Sequence, residues 1–297
     1  MSKPVFLFPA FVLKYLGCEA ELIETSSINF KERLRQLSEL TGVDLRGFDF
    51  DKNNFIKDEL RNQLITYLIS CIYWDILKSK SFFPSSVTSI SMGLYSALYC
   101  AGSISFNDGA ILIDRIYEFL CEQNYDRKFK MLAITGFSNE DIASIIEEKD
   151  MNIEIVIKNN QYSFIVAGYE TSVNEFYETA KKEGAIHLNI FPVSIPYHSK
   201  FIDTSGMLDR IFDDVTINIP EFEIISSIDQ KELCRPCEIK SEIIKNLNTN
   251  IDWHKTMTTL IKMGSAEFIE CGPGDSLKRI SRFIEEPCKV FPLSKII

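Results

Sequence analysis

The run Val87-Thr-Ser-Ile-Ser91-Met-Gly-Leu-Tyr-Ser-Ala-Leu-Tyr-Cys-Ala-Gly102 changes character in its middle. It is β-rich up to Ser91 and helix-like from Met92, and it closes on a glycine where a helix stop is expected. In a nucleophile elbow, a sharp strand-to-helix turn lifts a serine hydroxyl clear of the backbone, and only small residues fit two places before and after it. Ser89 and Gly93 occupy those places, so the pattern small-Ile-Ser-Met-Gly is one step short of G-x-S-x-G. The turn also sets Ser91 at a helix N-terminus, whose free N–H groups favour a developing oxyanion. An ordinary strand-helix connection ending in a surface serine shares this short pattern, so its meaning depends on the rest of the chain.

Outward from the elbow, strand and helix signals alternate. Val5-Phe-Leu-Phe8, closed by Pro9, predicts a buried strand, and Phe30, Leu34, Leu37 and Leu40 follow helical spacing. Glu59 to Ser79 is apolar around most of a helix, as befits one buried beside a sheet. Asn107 is the expected N-cap of a helix over Ala110 to Cys121. The middle of the chain reads strand (Phe129–Ile134), helix capped by Ser138, strand (Ile153–Ile157), strand (Tyr162–Ala167), helix (Thr171–Gly184), strand (His187–Val193). That βαββαβ order is the ferredoxin-like split βαβ, so 127–196 is expected to form an inserted subdomain. Residues 1–126 and 197–297 would make the discontinuous catalytic domain. Past Tyr197-His198-Ser199 we expect strands at Val215–Ile219, Glu223–Ser226, Ala266–Glu270 and Val290–Leu293, with helices at Lys240–Leu247, Asp252–Met263 and Asp275–Ile284. Alternating strands and helices predict an α/β fold with a mostly parallel sheet covered on both faces.

Composition narrows the function. The 297 residues, 45% hydrophobic and 25% charged, can bury a substantial core. A net charge of −10 argues against a nucleic-acid partner, whose phosphates demand clustered Lys and Arg. No apolar run approaches the roughly 20 residues of a membrane span, and the start lacks a leader pattern, so we expect a cytoplasmic protein with no membrane partner. Eight scattered cysteines suit a reducing compartment. Cys234-Arg-Pro-Cys237 has no second pair or His at ligand spacing, and no metal is expected. Arg127-Lys128-Phe-Lys130 is a basic cluster in an acidic chain, which an acidic partner would need.

With this order in hand, the chain resembles the malonyl-CoA:acyl-carrier-protein transacylases, including polyketide synthase acyltransferases, in a divergent, discrete form. The resemblance rests on the elbow with Cys-Ala-Gly-Ser-Ile-Ser-Phe-Asn-Asp-Gly109 after it, on Asn62-Gln63, on Val193-Ser-Ile-Pro-Tyr-His198-Ser, on Ile251-Asp-Trp253 and on Phe268-Ile-Glu-Cys-Gly-Pro-Gly274. It implies an α/β-hydrolase-like large domain, a ferredoxin-like (βαββαβ) insert, and an active site in the cleft between them. It also implies that Ser91 attacks an acyl thioester, holds the acyl group as an ester, and passes it to the phosphopantetheine thiol of an acyl carrier protein. CoA or carrier-protein thioesters would be substrates, with no bound cofactor. A serine needs a base within hydrogen-bond reach, and His, with an unperturbed pKa of about 6.5, can supply it. His198 occupies the family's position, whereas His187 and His254 lie in an expected strand and helix.

The resemblance further implies oxyanion donors at the backbone N–H of Met92 and Phe11, a pocket wall at Gln63 and Tyr197, and orientation of His198 by backbone in Asn248-Thr-Asn-Ile-Asp-Trp253. Three departures stand out. The family's Gly-Gln-Gly-Ser-Gln loop is here Ala10-Phe-Val-Leu-Lys14. The family's His before the nucleophile is Ile90. The Arg that pairs bidentately with a malonyl carboxylate is Ile116, and the neighbouring Arg115 is turned about 100° away on a helix. The expectation is therefore an acyltransferase for an acyl group other than malonyl. Alternatives are an editing acyl-carrier-protein hydrolase of a polyketide pathway, a malonyltransferase with a different carboxylate contact, or a binding module that has lost catalysis.

Overall fold

The computed structural model describes residues 3–26, 28–52, 54–124 and 126–296. Its elements in order are β1 (Val5–Phe8), α1 (Glu19–Glu24), α2 (Phe30–Thr41), α3 (Glu59–Ser79), β2 (Ser86–Ser89), α4 (Gly93–Cys100), α5 (Phe106–Gln123) and β3 (Phe129–Thr135). There follow α6 (Asn139–Glu148), β4 (Ile153–Asn160), β5 (Ser163–Tyr169), α7 (Glu170–Lys182), β6 (His187–Ile190), α8 (Leu208–Ile211) and β7 (Glu223–Ile225). The chain ends with α9 (Pro236–Asn248), β8 (Ile251–Asp252), α10 (Trp253–Lys262), β9 (Glu267–Glu270), α11 (Ser276–Ser281) and β10 (Lys289–Pro292).

Two sheets result. The first has the order β10-β9-β1-β2-β7, every neighbouring pair parallel. Its central strand β1 is wholly buried, as a parallel strand covered on both faces must be. Helix α3 lies against it, with Leu64, Tyr67, Leu68 and Ile72 in the main core. The second sheet has the order β6-β3-β5-β4-β8. Its first four strands are antiparallel neighbours in the order that a ferredoxin-like βαββαβ unit requires. Helices α6 and α7 cover one face through Ile142, Ile145, Val173 and Phe176. Strand β8 comes from the far end of the chain and extends this sheet, pairing parallel with β4 through Ile157↔Ile251 and Lys158↔Asp252.

Several local expectations need correction. Val215–Ile219 alternates like a strand but is not one; its neighbourhood instead clamps the end of α4, Asn218 N–H donating to the Ser103 carbonyl and Glu221 N–H to that of Ala101. The N-cap of α5 is Ser105, not Asn107. Its hydroxyl accepts from Asp108 N–H while the Asp108 carboxylate accepts from Ser105 N–H, a complete capping box. The Asn107 side chain is bonded to Gln36 on α2. Helix α9 starts at Pro236, earlier than its apolar spacing suggested, because proline at the first turn costs no hydrogen bond. None of the described helices is long and apolar enough to cross a membrane.

Candidate active site

Strand β2 ends at Ser89, and Ser91 turns the corner into α4 with φ +56°, in the left-handed region that costs a residue with a Cβ free energy. The turn is tight because α4 sits on the end of β1: a Cβ at Gly93 would collide with the backbone carbonyls of Phe8 and Pro9. Ile90 N–H donates to the Phe8 carbonyl at 3.0 Å, locking the elbow to β1. The loop after β1 therefore passes directly beside the serine.

His198 arrives from the other side, on the segment that leaves the second sheet after β6. It too has a positive φ, +63°. Its N–H donates to the Leu247 carbonyl and its carbonyl accepts from Asn250 Nδ2 at 2.8 Å, so the last turn of α9 and the segment before β8 grip its backbone from both sides. The imidazole is 2% exposed, and its Nε2 lies 2.8 Å from Ser91 Oγ. Burial pushes the His198 pKa down to about 4, opposed only by a contact of Nδ1 with the Asn246 backbone that falls short of a well-formed hydrogen bond. The ring is thus neutral near pH 7, and Nε2 can accept the hydroxyl proton. The backbone nearest Nδ1 is that of Asn246, two residues before the stretch that the sequence suggested. Asn246 is itself 4% exposed, and its Nδ2 donates to the Ser91 carbonyl at 3.1 Å. Sequence reasoning missed it.

The pair opens into a narrow cleft walled by Phe11, Met92, Tyr95, Ile113, Ile116 and Tyr117, with Gln63 and Tyr197 supplying polar atoms. Neither the Met92 nor the Phe11 backbone N–H donates to another group among the described residues, so both are available to an oxyanion. The loop that carries Phe11 lacks the family's glycines but has its own anchor. Glu19, at 0% exposure, accepts from Leu16 N–H at 2.9 Å, Gly17 N–H at 2.8 Å and Gly274 N–H at 3.1 Å. This carboxylate ties the loop to the Cys271-Gly-Pro-Gly274 turn. That turn backs the loop closely, since a Cβ at Gly272 would strike Pro9.

Gln63, Ile116 and Tyr197 line the cleft together with Ser91, His198, Met92 and Phe11. Ile90 does not. Its side chain is buried with Val5, Leu7 and Trp253 in a second core cluster, against which Phe11 and Tyr197 of the cleft wall also pack. Arg115 points away as helical geometry requires, its guanidinium donating to the carbonyls of Ile211 and Asp213. Among the described residues no Lys or Arg lines the cleft. A separate open groove, sharing Tyr117 with the cleft, is lined by Lys57, Arg127, Lys128, Lys130 and Glu59. Lys130 is paired with Glu170 at 2.7 Å. His187 is exposed on β6 and His254 lies on α10, both outside the cleft. Cys234 and Cys237 are exposed free thiols at the start of α9.

No sequence-family model matches the chain. Among curated proteins, it is 25% identical to the malonyl CoA-acyl carrier protein transacylase of Bacillus subtilis over 301 residues, covering 99% of this chain and 94% of that protein. The transacylase of Synechocystis is 24% identical over 278 residues, 93% of this chain and 91% of its own length. The polyketide biosynthesis protein ThaF of Burkholderia thailandensis is 25% identical over 96% of this chain, which spans only 24% of that larger protein. Solved structures agree on the fold. A malonyl-CoA:acyl carrier protein transacylase of Helicobacter pylori superposes with a TM-score of 0.85 at 19% identity, covering 99% of this chain and 95% of that one. A type II polyketide malonyl-transacylase in complex with its acyl carrier protein gives 0.84 at 22% identity, covering 98% and 96%.

Proposed function

We propose that this chain, a relative of the malonyl-CoA:acyl carrier protein transacylases, is an acyltransferase that carries an uncharged acyl group on Ser91. The observation that carries this reading is the 2.8 Å contact of Ser91 Oγ with His198 Nε2 at the floor of a cleft that also offers two free backbone N–H groups. Ser91 Oγ attacks the thioester carbonyl carbon and gives its proton to His198 Nε2. The carbonyl oxygen takes up negative charge facing the N–H groups of Met92 and Phe11. The C–S bond then breaks, the departing thiolate takes the proton from His198, and the acyl group remains as a Ser91 ester. An incoming phosphopantetheine thiol gives its proton to His198, attacks the ester and regenerates Ser91. CoA or carrier-protein thioesters are the donors, an acyl carrier protein is the acceptor, and no step requires a bound cofactor. The groove lined by Lys57, Arg127 and Lys128 suits an acidic carrier or a phosphate-bearing arm.

The neutral acyl group follows from the wall. Ile116 faces the cleft where the family has Arg, and Arg115 is committed to the carbonyls beside α8. A carboxylate entering there loses water without gaining a guanidinium, and an unpaired buried charge costs several kcal/mol. Intact-protein mass after exposure to malonyl-, acetyl- and butyryl-CoA tests the reading. Acetyl and butyryl adducts should form on the unmodified chain, vanish in Ser91→Ala, and move to holo-carrier protein on its addition. Free acid in place of acyl-carrier protein would make water the acceptor and the protein a hydrolase. An adduct that survives Ser91→Ala would remove this serine from the mechanism.

A further inference from the structure

Glu59, the first residue of α3, lines the neighbouring groove and is bonded to Tyr197 of the cleft. It is half-buried, and its Oε1 accepts from Tyr197 Oη at 2.7 Å while its Oε2 accepts from Ser194 N–H at 3.1 Å. Both partners are donors, as is the N-terminus of the helix it opens, and together these favour the ionised carboxylate. No cation among the described residues pairs with it; burial, the largest influence, raises its pKa above the ordinary carboxylate value, Asp58 adds to the rise, and the two donors oppose it. Tyr197 in turn lines the cleft, and Gln63 Nε2 donates to its oxygen at 3.0 Å.

With Glu59 ionised, this relay has only one consistent proton arrangement. An ionised carboxylate can only accept, so the Tyr197 hydroxyl gives its single proton to Glu59. The Tyr197 oxygen can then only accept, which fixes Gln63 with its amide nitrogen toward the tyrosine. Toward the cleft, Tyr197 has no proton left to offer. An anionic acyl group would meet a lone-pair-bearing oxygen with a carboxylate one hydrogen bond behind it.

We propose that Glu59 is a specificity-determining residue which, through Tyr197, makes this cleft reject acyl groups ending in a carboxylate and accept neutral ones. The proposal rests on the acyltransferase reading above and adds to it. Ile116 removes an attraction, whereas Glu59 supplies a repulsion, and discrimination of this kind commonly uses both.

The test is the ratio of second-order acylation rates for malonyl-CoA and acetyl-CoA, followed by intact mass on the unmodified chain, Glu59→Gln, Glu59→Asp and Ile116→Arg. Glu59→Gln, which keeps the shape and loses the charge, should raise the malonyl-to-acetyl ratio about tenfold or more. Glu59→Asp keeps the charge and should stay within about threefold of the starting ratio. A merely structural role would slow both donors together and leave the ratio fixed; acetyl loading also reports that each variant is folded. If Glu59→Gln leaves the ratio unchanged while Ile116→Arg raises it, Glu59 takes no part, although the neutral-acyl reading survives. If malonyl loads fastest on the unmodified chain, both the proposal and the neutral-acyl reading fall. If no thioester loads at all, the acyltransferase reading fails first and the proposal with it.

Discussion

His198 sits in a dry place, and that sets when it can work. Burial lowers its pKa to about 4, so the ring is unprotonated near neutral pH. The sign is simple: lowering the pH protonates Nε2 and disables the base, and raising it restores the neutral ring. The acylation rate should therefore climb through about pH 4 and be flat by about pH 6, where an unperturbed histidine would still be titrating near 6.5. A rate profile measured with acetyl-CoA checks this; a limb centred near 6.5 would mean that the ring is more hydrated than its 2% exposure implies. Ser91 and His198 were legible in the sequence because each sits inside a short motif. Asn246, Glu59 and Glu19 were not, since their partners lie far along the chain. Asn246 meets Ser91 across 155 positions, Glu59 meets Tyr197 across 138, and Glu19 meets Gly274 across 255. A carboxylate read locally is a surface charge until the fold brings buried N–H groups to it.

Among the elements, the loop from Ala10 to Gly17 bears most on catalysis, and its apparent weakness in the sequence has a structural answer. The loop departs from the family's Gly-Gln-Gly-Ser-Gln, with Ala10-Phe-Val-Leu-Lys14 in its place. The Glu19 carboxylate, itself fully buried, instead gathers the N–H groups of the exposed Leu16 and Gly17 and of Gly274. Replacing it with Gln puts an amide NH₂ against backbone donors, and hydrogen bonds to a buried charge are worth about 1.5–3 kcal/mol each. Glu19→Gln should therefore cost on the order of 3 kcal/mol in urea unfolding. It should also slow Ser91 acylation in the protein that remains folded, because the Phe11 N–H is carried on the same loop. Unchanged unfolding would mean that the anchor is dispensable. Elements whose burial and capping agreed, such as α3 and the βαββαβ order, were readable from periodicity. Val215–Ile219 was misread because alternation specifies a face and not a partner; Asn218 N–H goes to the Ser103 carbonyl just past α4 and Val215 N–H to Phe212, not to a strand.

At the scale of the whole molecule, stability carries a pH dependence written by buried acids. Glu242 and Glu270 are 5% and 0% exposed, and burial pushes each carboxyl up to about 7. A folded pKa raised above the unfolded value means that the fold holds a proton the unfolded chain has released. Stability is then full below about 4.5 and declines as the pH rises through about 7. His198, lowered to about 4, acts oppositely between about 4 and 6.5, but it is one group against two. The thermal midpoint should thus fall between pH 5.5 and about 8. Glu242→Gln, which keeps the hydrogen bond of Ser226 Oγ available, should raise the midpoint at about pH 8 by the equivalent of roughly 1–3 kcal/mol and flatten the slope. Its midpoint measured at two pH values decides the matter. Sequence disclosed the two-sheet architecture, because the strand-helix order changes from parallel α/β to βαββαβ and back. It could not disclose that a late two-residue strand would join the inserted sheet.

That strand, β8, makes the histidine a mechanical relay. Asn250, the residue immediately before it, holds the His198 carbonyl, while β8 itself is hydrogen-bonded to β4 of the second sheet. A hinge opening between the two sheets would strain this joint before it widened the cleft, and the strain would fall on the backbone of the base. Whatever docks on the second sheet therefore pulls or pushes on the Ser91–His198 distance through two hydrogen-bonded steps. A carrier protein pressing there would be felt by the chemistry as tension in one short strand, with no rearrangement of the nucleophile's own sheet.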